Sequence, residues 1–333
     1  MNIIITNRTV NTTNTKINKF SIKISRGDNK NLLYTLPYVS FTESGWIVIC
    51  YEDLENLSGT ICEKIQTFIN KFEPINKILF FRANGLIRAN WEEIKIMSVY
   101  KLIYIDDLHT SKEISELRAL DRRFFNYFDK IISTYAYCFK KFFNYADINK
   151  IYWFPHSFNE QLKIEYNHNP KNKILLSGCV CDAYPMRKKL MEISETKMYP
   201  IDILEHPRYS KDKLHDIIGK KFIEKINEYR FGFTCCLNKS TPYIVQKFFE
   251  IPGSGALLIA YDVHVKIQLK ELGFIDMVNY IGVNDTNLED KIQWVLDPLN
   301  SIIIEQIRLE GYNFINSNHT HEIRTKKLLE HLE

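Results

Sequence analysis

The 333-residue sequence has few glycines and prolines and no long apolar run, and each scarcity excludes a class of protein. Only 12 glycines and 10 prolines stand against 45% apolar residues, which excludes collagen-like repeats and an extended disordered chain. No segment approaches the roughly 18 consecutive apolar residues of a membrane span. We therefore expect a chain with a large apolar core and no transmembrane segment.

The sequence also lacks a strong excess of charge of either sign. Its 44 Lys and Arg residues against 40 Asp and Glu residues give a formal net charge of +4. This balance is too even for the basic groove of a nucleic-acid-binding protein. We expect no nucleic-acid partner, and any anionic ligand must be bound by a local group of cations.

The seven cysteines lack the spacing of a zinc ribbon, because Cys179 and Cys181 are two apart and Cys235 and Cys236 are adjacent. The N-terminus has a three-Ile run flanked by polar residues, without the basic start and long apolar middle of a secretory leader. These patterns predict reduced core thiols, no metal site and a cytoplasmic protein.

Strand-like and helix-like segments alternate from Trp46 onward, which indicates α/β units after an irregular, Asn-rich opening. Single cores stop growing at about 250 to 300 residues, so the length favours two lobes. The polar segment 158–172 is a plausible linker. We predict an N-terminal acceptor-side domain over 1–157, a donor-binding domain over 172–311, and a C-terminal helix within 312–333 that could pack back on the first domain.

The segment from Asn238 to Asp262 carries the most chemical information. Ser240 or Thr241 as N-cap and Pro242 as the first helical residue predict a helix whose backbone N–H groups can bind a phosphate. On that helix Lys247 and Glu250 are three apart and share a face. They could bind a diphosphate and a ribose diol, or they could form a solvated pair on an amphipathic helix.

At this point the sequence resembles a known family. The strings "KFFEIPGSGALLIAYD", "NLEDKIQWVLD" and "GYNFINSNHTHEIRTKKLLEHL" resemble the C-terminal half of two-domain GT-B glycosyltransferases, especially the group typified by the spore maturation protein CgeB. The resemblance covers about Lys173 to Leu332. The residues at the positions of that group's motifs are Lys247, Glu250, Gly255, Asp262, His319, Thr320 and Arg324. Many relatives have a second Glu eight positions before Glu250, where this chain has Pro242.

The resemblance implies an α/β, GT-B-like fold of two Rossmann-like lobes with a cleft between them. It also implies glycosyl transfer in glycan biosynthesis, from a UDP-, GDP- or dTDP-sugar to a glycan, protein or small-molecule acceptor. No tightly bound cofactor and no metal are expected, and Glu250 would bind the donor ribose. The predicted donor-binding residues are Glu250, Lys247, Arg187, Gly178, Thr241, Tyr243, Gly253, Ser254 and Gly255.

Two of these residues come from the first turn of the second lobe, "LSGCVCDAYPMRKK", where GT-B enzymes place a loop against the donor phosphates. Arg187 could reach the diphosphate there, or it could be a surface residue of a basic helix. His156, at the end of the first lobe, is a further candidate to face the cleft.

The string "YIDDLH" is the one strand end of the first lobe that is crowded with ionisable groups. An acceptor hydroxyl needs a group that takes its proton, so Asp106, Asp107 and His109 are the candidate general bases. An Asp-rich turn that caps a helix is the alternative. We reject the metal-binding D-x-D motif of GT-A enzymes, because they lack the second nucleotide-binding lobe that the segment after Lys173 resembles.

Further alternatives stay open. The chain could be a catalytically inactive nucleotide-sugar or glycan-binding module of the same fold, or it could be a phosphorylase or epimerase. The aromatic string "RRFFNYFD" could stack nucleic-acid bases, although at helical spacing it is more typical of a core. The high content of Ile, Asn and Lys suggests an AT-rich genome, such as that of a giant virus or a parasite. For a viral protein, the expected location is the host cytoplasm.

Overall fold

The structure, a computed structural model, describes residues 1–6, 38–106, 108, 112–205 and 219–333. These residues fall into two compact units. The first unit contains 1–6, 38–155 and 325–333, and the second contains 156–205 and 219–324. Each unit is built on a parallel β-sheet.

The sheet of the first unit has six strands in the order β2-β1-β3-β4-β5-β6. Its strands are β1 Asn2–Thr6, β2 Trp46–Cys50, β3 Lys77–Phe81, β4 Tyr100–Ile105, β5 Lys130–Ser133 and β6 Ile151–Trp153. Its helices are α1 Tyr38–Glu43, α2 Ile61–Ile69, α3 Asn84–Ala89, α4 Trp91–Ile96, α5 Lys112–Leu120 and α6 Phe139–Phe142. A strand and a helix therefore alternate along most of this unit, as predicted.

The strand β1 corrects the prediction of an irregular opening. It lies between β2 and β3, and Ile4 pairs with Val48 on one side and with Leu79 on the other. Ile3, Ile4 and Ile5 are completely buried. A central parallel strand is covered on both faces and reads as a continuous apolar run rather than an alternation, so this short run gave no periodic signal.

The aromatic string "RRFFNYFD" lies in the core of the first unit, as its spacing predicts, but it does not continue α5. The helix ends at Leu120, and a 3-10 turn follows over Phe124–Tyr127. The Asp121 side chain accepts a hydrogen bond of 2.7 Å from the Arg123 backbone N–H, which favours a turn over another helical residue. Phe125 is buried and stacks edge-on against Phe139.

No capping box forms at the start of α4, although Asn90 and Glu93 have the N-x-x-E spacing of one. The Asn90 side chain instead donates to the Leu86 carbonyl of the preceding helix. The Glu93 carboxylate accepts a hydrogen bond of 2.5 Å from the Ile61 backbone N–H at the start of α2. Tertiary contacts therefore compete for both side chains that the local sequence pattern assigns to the cap.

The last residues of the chain belong to the first unit. Leu328 and Leu332 are buried in the same apolar cluster as Ile4 and Trp46. Tyr152 stacks on His331 with ring centroids 4.2 Å apart. The C-terminal nine residues thus complete the core that the N-terminal strand begins.

The sheet of the second unit has five strands in the order β11-β10-β9-β7-β8. Its strands are β7 Lys171–Ser177, β8 Ile201–Leu204, β9 Tyr229–Cys235, β10 Leu257–Tyr261 and β11 Ile281–Val283. Its helices are α7 Pro185–Glu195, α8 Lys220–Asn227, α9 Lys247–Gly253, α10 Lys266–Glu271, α11 Leu288–Leu296 and α12 Ser301–Asn318, and α13 His321–Leu332 begins here and ends in the first unit. The chain adds β8 on one side of β7 and then β9 on the other, so the strand order reverses between β7 and β9. In parallel α/β sheets such a switch point is where ligands bind, beyond the carboxyl ends of the strands.

All seven cysteines are free thiols, as predicted. Cys50, Cys138, Cys235 and Cys236 are buried, and burial raises the pKa of the Cys236 thiol to about 12. A buried thiol that stays protonated at neutral pH is chemically inert.

No helix among the described residues is both long enough and apolar enough to cross a membrane.

Candidate functional site

Four predicted donor-site residues come together at the switch point of the second unit. Gly178 follows β7, Arg187 lies in the first turns of α7, and Lys247 and Glu250 lie in α9. A Cβ atom built on Gly178 would lie 2.8 Å from Lys247 Cε and 2.9 Å from Arg187 Nη1. Gly178 also has a φ of +98°, which side chains other than glycine rarely adopt. A glycine is therefore required here by both the backbone and the two cations.

Arg187 is a buried cation with part of its guanidinium unused. Only 3% of its surface is exposed, which excludes the alternative of a surface residue on a basic helix. Nη1 donates to the Cys179 carbonyl at 3.1 Å, and Nη2 donates to Thr234 Oγ1 at 3.4 Å. Nε is buried and has no hydrogen-bond partner among the described residues. An unsatisfied buried donor is costly, so this N–H is available to a ligand that accepts its hydrogen bond.

Lys247 and Glu250 form a mostly buried pair, not the solvated pair of an amphipathic helix. Glu250 is 3% exposed, the Lys247 side chain is 18% exposed, and Glu250 Oε2 lies 3.7 Å from Lys247 Nζ. At this distance the two groups form an ion pair, but the contact is too long for a good hydrogen bond. Glu250 Oε2 has no hydrogen-bond partner within the described chain. Glu250 therefore does not lie on a wet helix face, and its carboxylate keeps an acceptor position for another group.

The pKa values of the pair show that burial opposes the charge of both groups. Burial lowers the pKa of Lys247, while Glu250 raises it and Arg187 lowers it further. Burial raises the pKa of Glu250, and the two cations oppose that shift. Each charged form is thus penalised by loss of water, and the three groups depend on one another for charge compensation.

The segment before α9 is not helical, which corrects the predicted start at Pro242. The Asn238 side chain accepts hydrogen bonds from the backbone N–H groups of Ser240 and Thr241 at 2.8 and 3.1 Å, and this turn competes with a helix. The Pro242 carbonyl accepts a hydrogen bond of 3.0 Å from Gln268. The helix begins at Lys247 and has only seven residues, so we assign no phosphate site to its N-terminus.

Tyr243 and Thr241 lie in this irregular segment and are both buried. The Tyr243 hydroxyl forms a hydrogen bond with that of Tyr184, which precedes α7. The ring of His156 lies 6.4 Å from the ring of Tyr243. Tyr243 is thus linked through Tyr184 to the site, whereas the backbone N–H of Thr241 is used by Asn238.

Gly253, Ser254 and Gly255 lie at the opposite end of α9 from Lys247, where the structure shows close packing. A Cβ on Gly253 would lie 2.7 Å from the Phe158 ring, and a Cβ on Gly255 would lie 3.3 Å from Tyr166. The Ser254 hydroxyl donates to the Glu250 carbonyl. The helix also includes Pro252 and Gly253. These contacts account for the three residues as packing and capping residues of α9.

The terminal motif residues His319, Thr320 and Arg324 hold the start of α13. Thr320 Oγ1 accepts a hydrogen bond of 3.3 Å from the Ile323 N–H, which caps this helix as the motif predicts. His319 Nε2 lies 2.9 Å from the Leu272 carbonyl, and its Nδ1 lies 2.8 Å from Arg324 Nη2. Asp262, at the end of β10, accepts a hydrogen bond of 2.8 Å from Tyr280.

In the first unit, Asp106 follows β4 and forms an ion pair of 2.9 Å with Arg82, which follows β3. Its backbone carbonyl accepts a hydrogen bond of 2.9 Å from Thr134 Oγ1. The other two candidate bases, Asp107 and His109, lie outside the described residues. Among the described residues, no group of three or more His, Cys, Asp or Glu side chains could hold a metal ion.

Three residues around the cations were not predicted from the sequence. Thr234 is a fully buried polar residue within β9. A polar residue inside the apolar string "YRFGFTCC" was the sequence signal that could have indicated its role. The Tyr184 ring lies 3.9 Å from the Arg187 guanidinium carbon, and the Phe222 ring lies 4.8 Å from Lys247 Nζ. Aromatic residues near a basic residue are common in any sequence, so these contacts had no sequence signal.

No family model and no curated protein matches the sequence, but solved structures match the fold. A glycosyltransferase from Rickettsia africae superposes with a TM-score of 0.55 at 11% identity, over 98% of this chain and 96% of its own. Anabaena HepE in complex with UDP-glucose superposes with a TM-score of 0.56 at 8% identity, over 100% of this chain and 99% of its own. TarM superposes with a TM-score of 0.51 at 11% identity, over 76% of this chain. This chain therefore spans only about half of the length of TarM, 54%.

The fold is GT-B. Two parallel Rossmann-like sheets and the C-terminal helices agree with the predicted class. At identities of 8 to 11%, these superpositions establish the fold alone.

The buried pair generates a stability prediction. We expect Glu250→Gln to lower the free energy of unfolding by about 3 kcal/mol, because it leaves two buried cations without their carboxylate. Adding Lys247→Met to it should recover most of the loss. Urea denaturation measures both effects. The control Glu228→Gln removes a carboxylate that is 42% exposed and pairs with Lys171 and Lys225, so it should cost less than about 1 kcal/mol. A Glu250→Gln protein as stable as the wild type would show that the pair is not buried in solution.

Proposed function

We propose that the chain is a glycosyltransferase that moves a sugar from a nucleoside-diphosphate sugar to an acceptor hydroxyl. The observation that carries the proposal is the buried group of Arg187, Lys247 and Glu250 at the switch point, with one donor and one acceptor atom left without partners. HepE, which has the same fold over its full length, is described as a complex with UDP-glucose. The resemblance of the C-terminal half to the CgeB group supports the same activity.

In this proposal the two cations bind the diphosphate. The Arg187 fork can bind two phosphate oxygens, and Lys247 adds a compact charge beside it. As the bond from the sugar to the diphosphate breaks, negative charge grows on the leaving group. Cations already fixed in a site with little water stabilise that charge most strongly. Their role in the reaction is therefore to stabilise the leaving diphosphate.

Glu250 is proposed to accept hydrogen bonds from the ribose of the donor through Oε2. Lys247 lies beside the carboxylate and favours its ionised form, which opposes the rise in pKa that burial causes. Tyr243 is proposed to contact the donor with these residues, and Thr241 remains a weaker candidate because its N–H is already bonded.

The proton of the acceptor hydroxyl needs a base, and Asp106, Asp107 and His109 remain our candidates for this role. Asp106 forms an ion pair with Arg82, and taking up the proton of the acceptor would break that pair. We therefore favour Asp107 or His109 as the base. Asp106 would then orient the acceptor hydroxyl by accepting its hydrogen bond.

The second candidate function is a catalytically inactive nucleotide-sugar-binding module of the same fold. It is favoured by Pro242, which stands where many relatives of the resembled group have a second Glu, in a segment that is tied down by its own turn. The two functions share the donor site and differ only in turnover. An assay that detects the released nucleoside diphosphate therefore separates them.

We expect a thermal-shift screen of UDP-, GDP- and dTDP-sugars to find a ligand. A ligand at 100 times its dissociation constant adds about 2.7 kcal/mol of apparent stability. Lys247→Met should weaken binding of that ligand by about 10- to 100-fold, because it removes a charged partner of the diphosphate. The control Lys291→Met removes a lysine that also lies over an aromatic ring, Trp294, but on α11. Equal affinities for both variants would remove Lys247 from the site.

We also expect the chemical step to be independent of metal ions, because the two cations supply the positive charge that the leaving diphosphate needs. Turnover should be unchanged within about twofold in EDTA. Loss of activity on chelation that Mn²⁺ restores would support the metal-binding reading of "YIDDLH".

The acceptor side generates a further prediction. Asp107→Asn or His109→Gln should lower turnover by about 10² to 10⁴ if that residue is the base, while donor affinity stays within about twofold. Asp106→Asn should lower turnover less, since it keeps one hydrogen-bond acceptor. Steady-state kinetics and a binding titration measure the two quantities separately. Normal turnover in all three variants would show that this strand end only caps a helix, with His156 as the next candidate.

A further inference from the structure

Each cation of the proposed donor site lies over an aromatic ring. The Arg187 guanidinium lies 3.9 Å from the centroid of the Tyr184 ring, and Lys247 Nζ lies 4.8 Å from that of Phe222. Within the described part of the chain, the one ion pair that either cation makes is the contact of 3.7 Å between Lys247 and Glu250. Two rings and one carboxylate therefore surround one buried and one mostly buried positive charge.

A ring and a carboxylate hold a cation in different ways. The face of an aromatic ring attracts a cation through its quadrupole, and the attraction is strongest where water is excluded. The ring has no net charge, so it neither neutralises the cation nor repels an incoming phosphate. A second carboxylate would do both. Aromatic rings can therefore fix the position of these cations and leave their charge available.

Both rings are themselves held in place. Tyr184 immediately precedes α7, packs against the apolar core of the second unit, and is hydrogen-bonded to Tyr243. Phe222 lies in α8 and is 8% exposed. Tyr184 lies before α7 and Phe222 lies within α8, so the two rings are supported by different parts of the chain.

We infer that Tyr184 and Phe222 are positioning residues that hold Arg187 and Lys247 in the geometry that binds the diphosphate group of a nucleoside diphosphate. This inference rests on the proposed function, because it deepens the same site. The relevant ligand chemistry is the diphosphate alone. Inorganic pyrophosphate is therefore a probe that does not depend on which sugar or base the protein accepts.

The test measures the affinity for inorganic pyrophosphate and for UDP by calorimetry in the full chain. Tyr184→Leu and Phe222→Leu should each weaken pyrophosphate binding by about 3- to 30-fold, the range of a buried cation–ring contact. Tyr184→Phe and Phe222→Tyr keep the rings and should stay within about twofold of the wild type. Should a leucine variant fail to fold, the methionine variant at the same position replaces it, since methionine also lacks the ring.

A double-mutant cycle separates positioning from a general structural effect. Tyr184→Leu should have no further effect on pyrophosphate affinity when Arg187 is already replaced in Arg187→Gln, because the ring acts through that cation. Three results would overturn the inference. They are an equal loss in the ring-keeping variants, a full additional loss in the Arg187→Gln background, and a wild-type protein that does not bind pyrophosphate. The pyrophosphate affinities could follow the expected pattern in a protein that turns over no nucleotide-sugar. That result would leave the inference intact and contradict the proposed function.

Discussion

The arrangement of the second unit depends on two positive charges that are buried at the end of a parallel sheet. Taking a charge out of water costs several kcal/mol unless other groups compensate it. Here Arg187 and Lys247 share one carboxylate, Glu250, and the remaining support comes from a carbonyl, a hydroxyl and two aromatic rings. Several local features of the chain serve this arrangement. The left-handed glycine after β7 makes room for both cations, and the turn at Asn238 delays the helix until Lys247.

The alternation of strands and helices was predictable because parallel α/β units repeat one pattern of apolar strand and amphipathic helix. The exceptions have physical causes. The strand β1 is buried on both faces and has no alternation, and α5 ends where Asp121 offers its neighbour a competing hydrogen bond. The first cause acts through pairing with distant strands, which a window of local sequence does not show. The second is local, and it competes with the helical pattern that continues past Leu120.

The residues of the proposed donor site were predictable as residue types but not in their surroundings. Spacing and resemblance placed Lys247 and Glu250 together, and the structure adds Gly178 and Arg187 at the same strand ends. The burial of the pair could not be read from helical spacing, since a salt bridge three residues apart on a surface helix has the same sequence pattern. The glycines after Glu250 show the opposite case, because the resemblance implies ligand contacts, whereas the structure shows packing contacts such as that of Gly253 with Phe158.

The central claim is that this buried group is the binding site of a diphosphate. A crystal structure of the protein with UDP tests it most directly. The account predicts phosphate oxygens within about 3 Å of Arg187 Nε and Lys247 Nζ, and a ribose hydroxyl on Glu250 Oε2. These contacts would give the two unpartnered atoms their hydrogen bonds. UDP bound at any other place, with Arg187 Nε still buried and without a partner, would contradict the account.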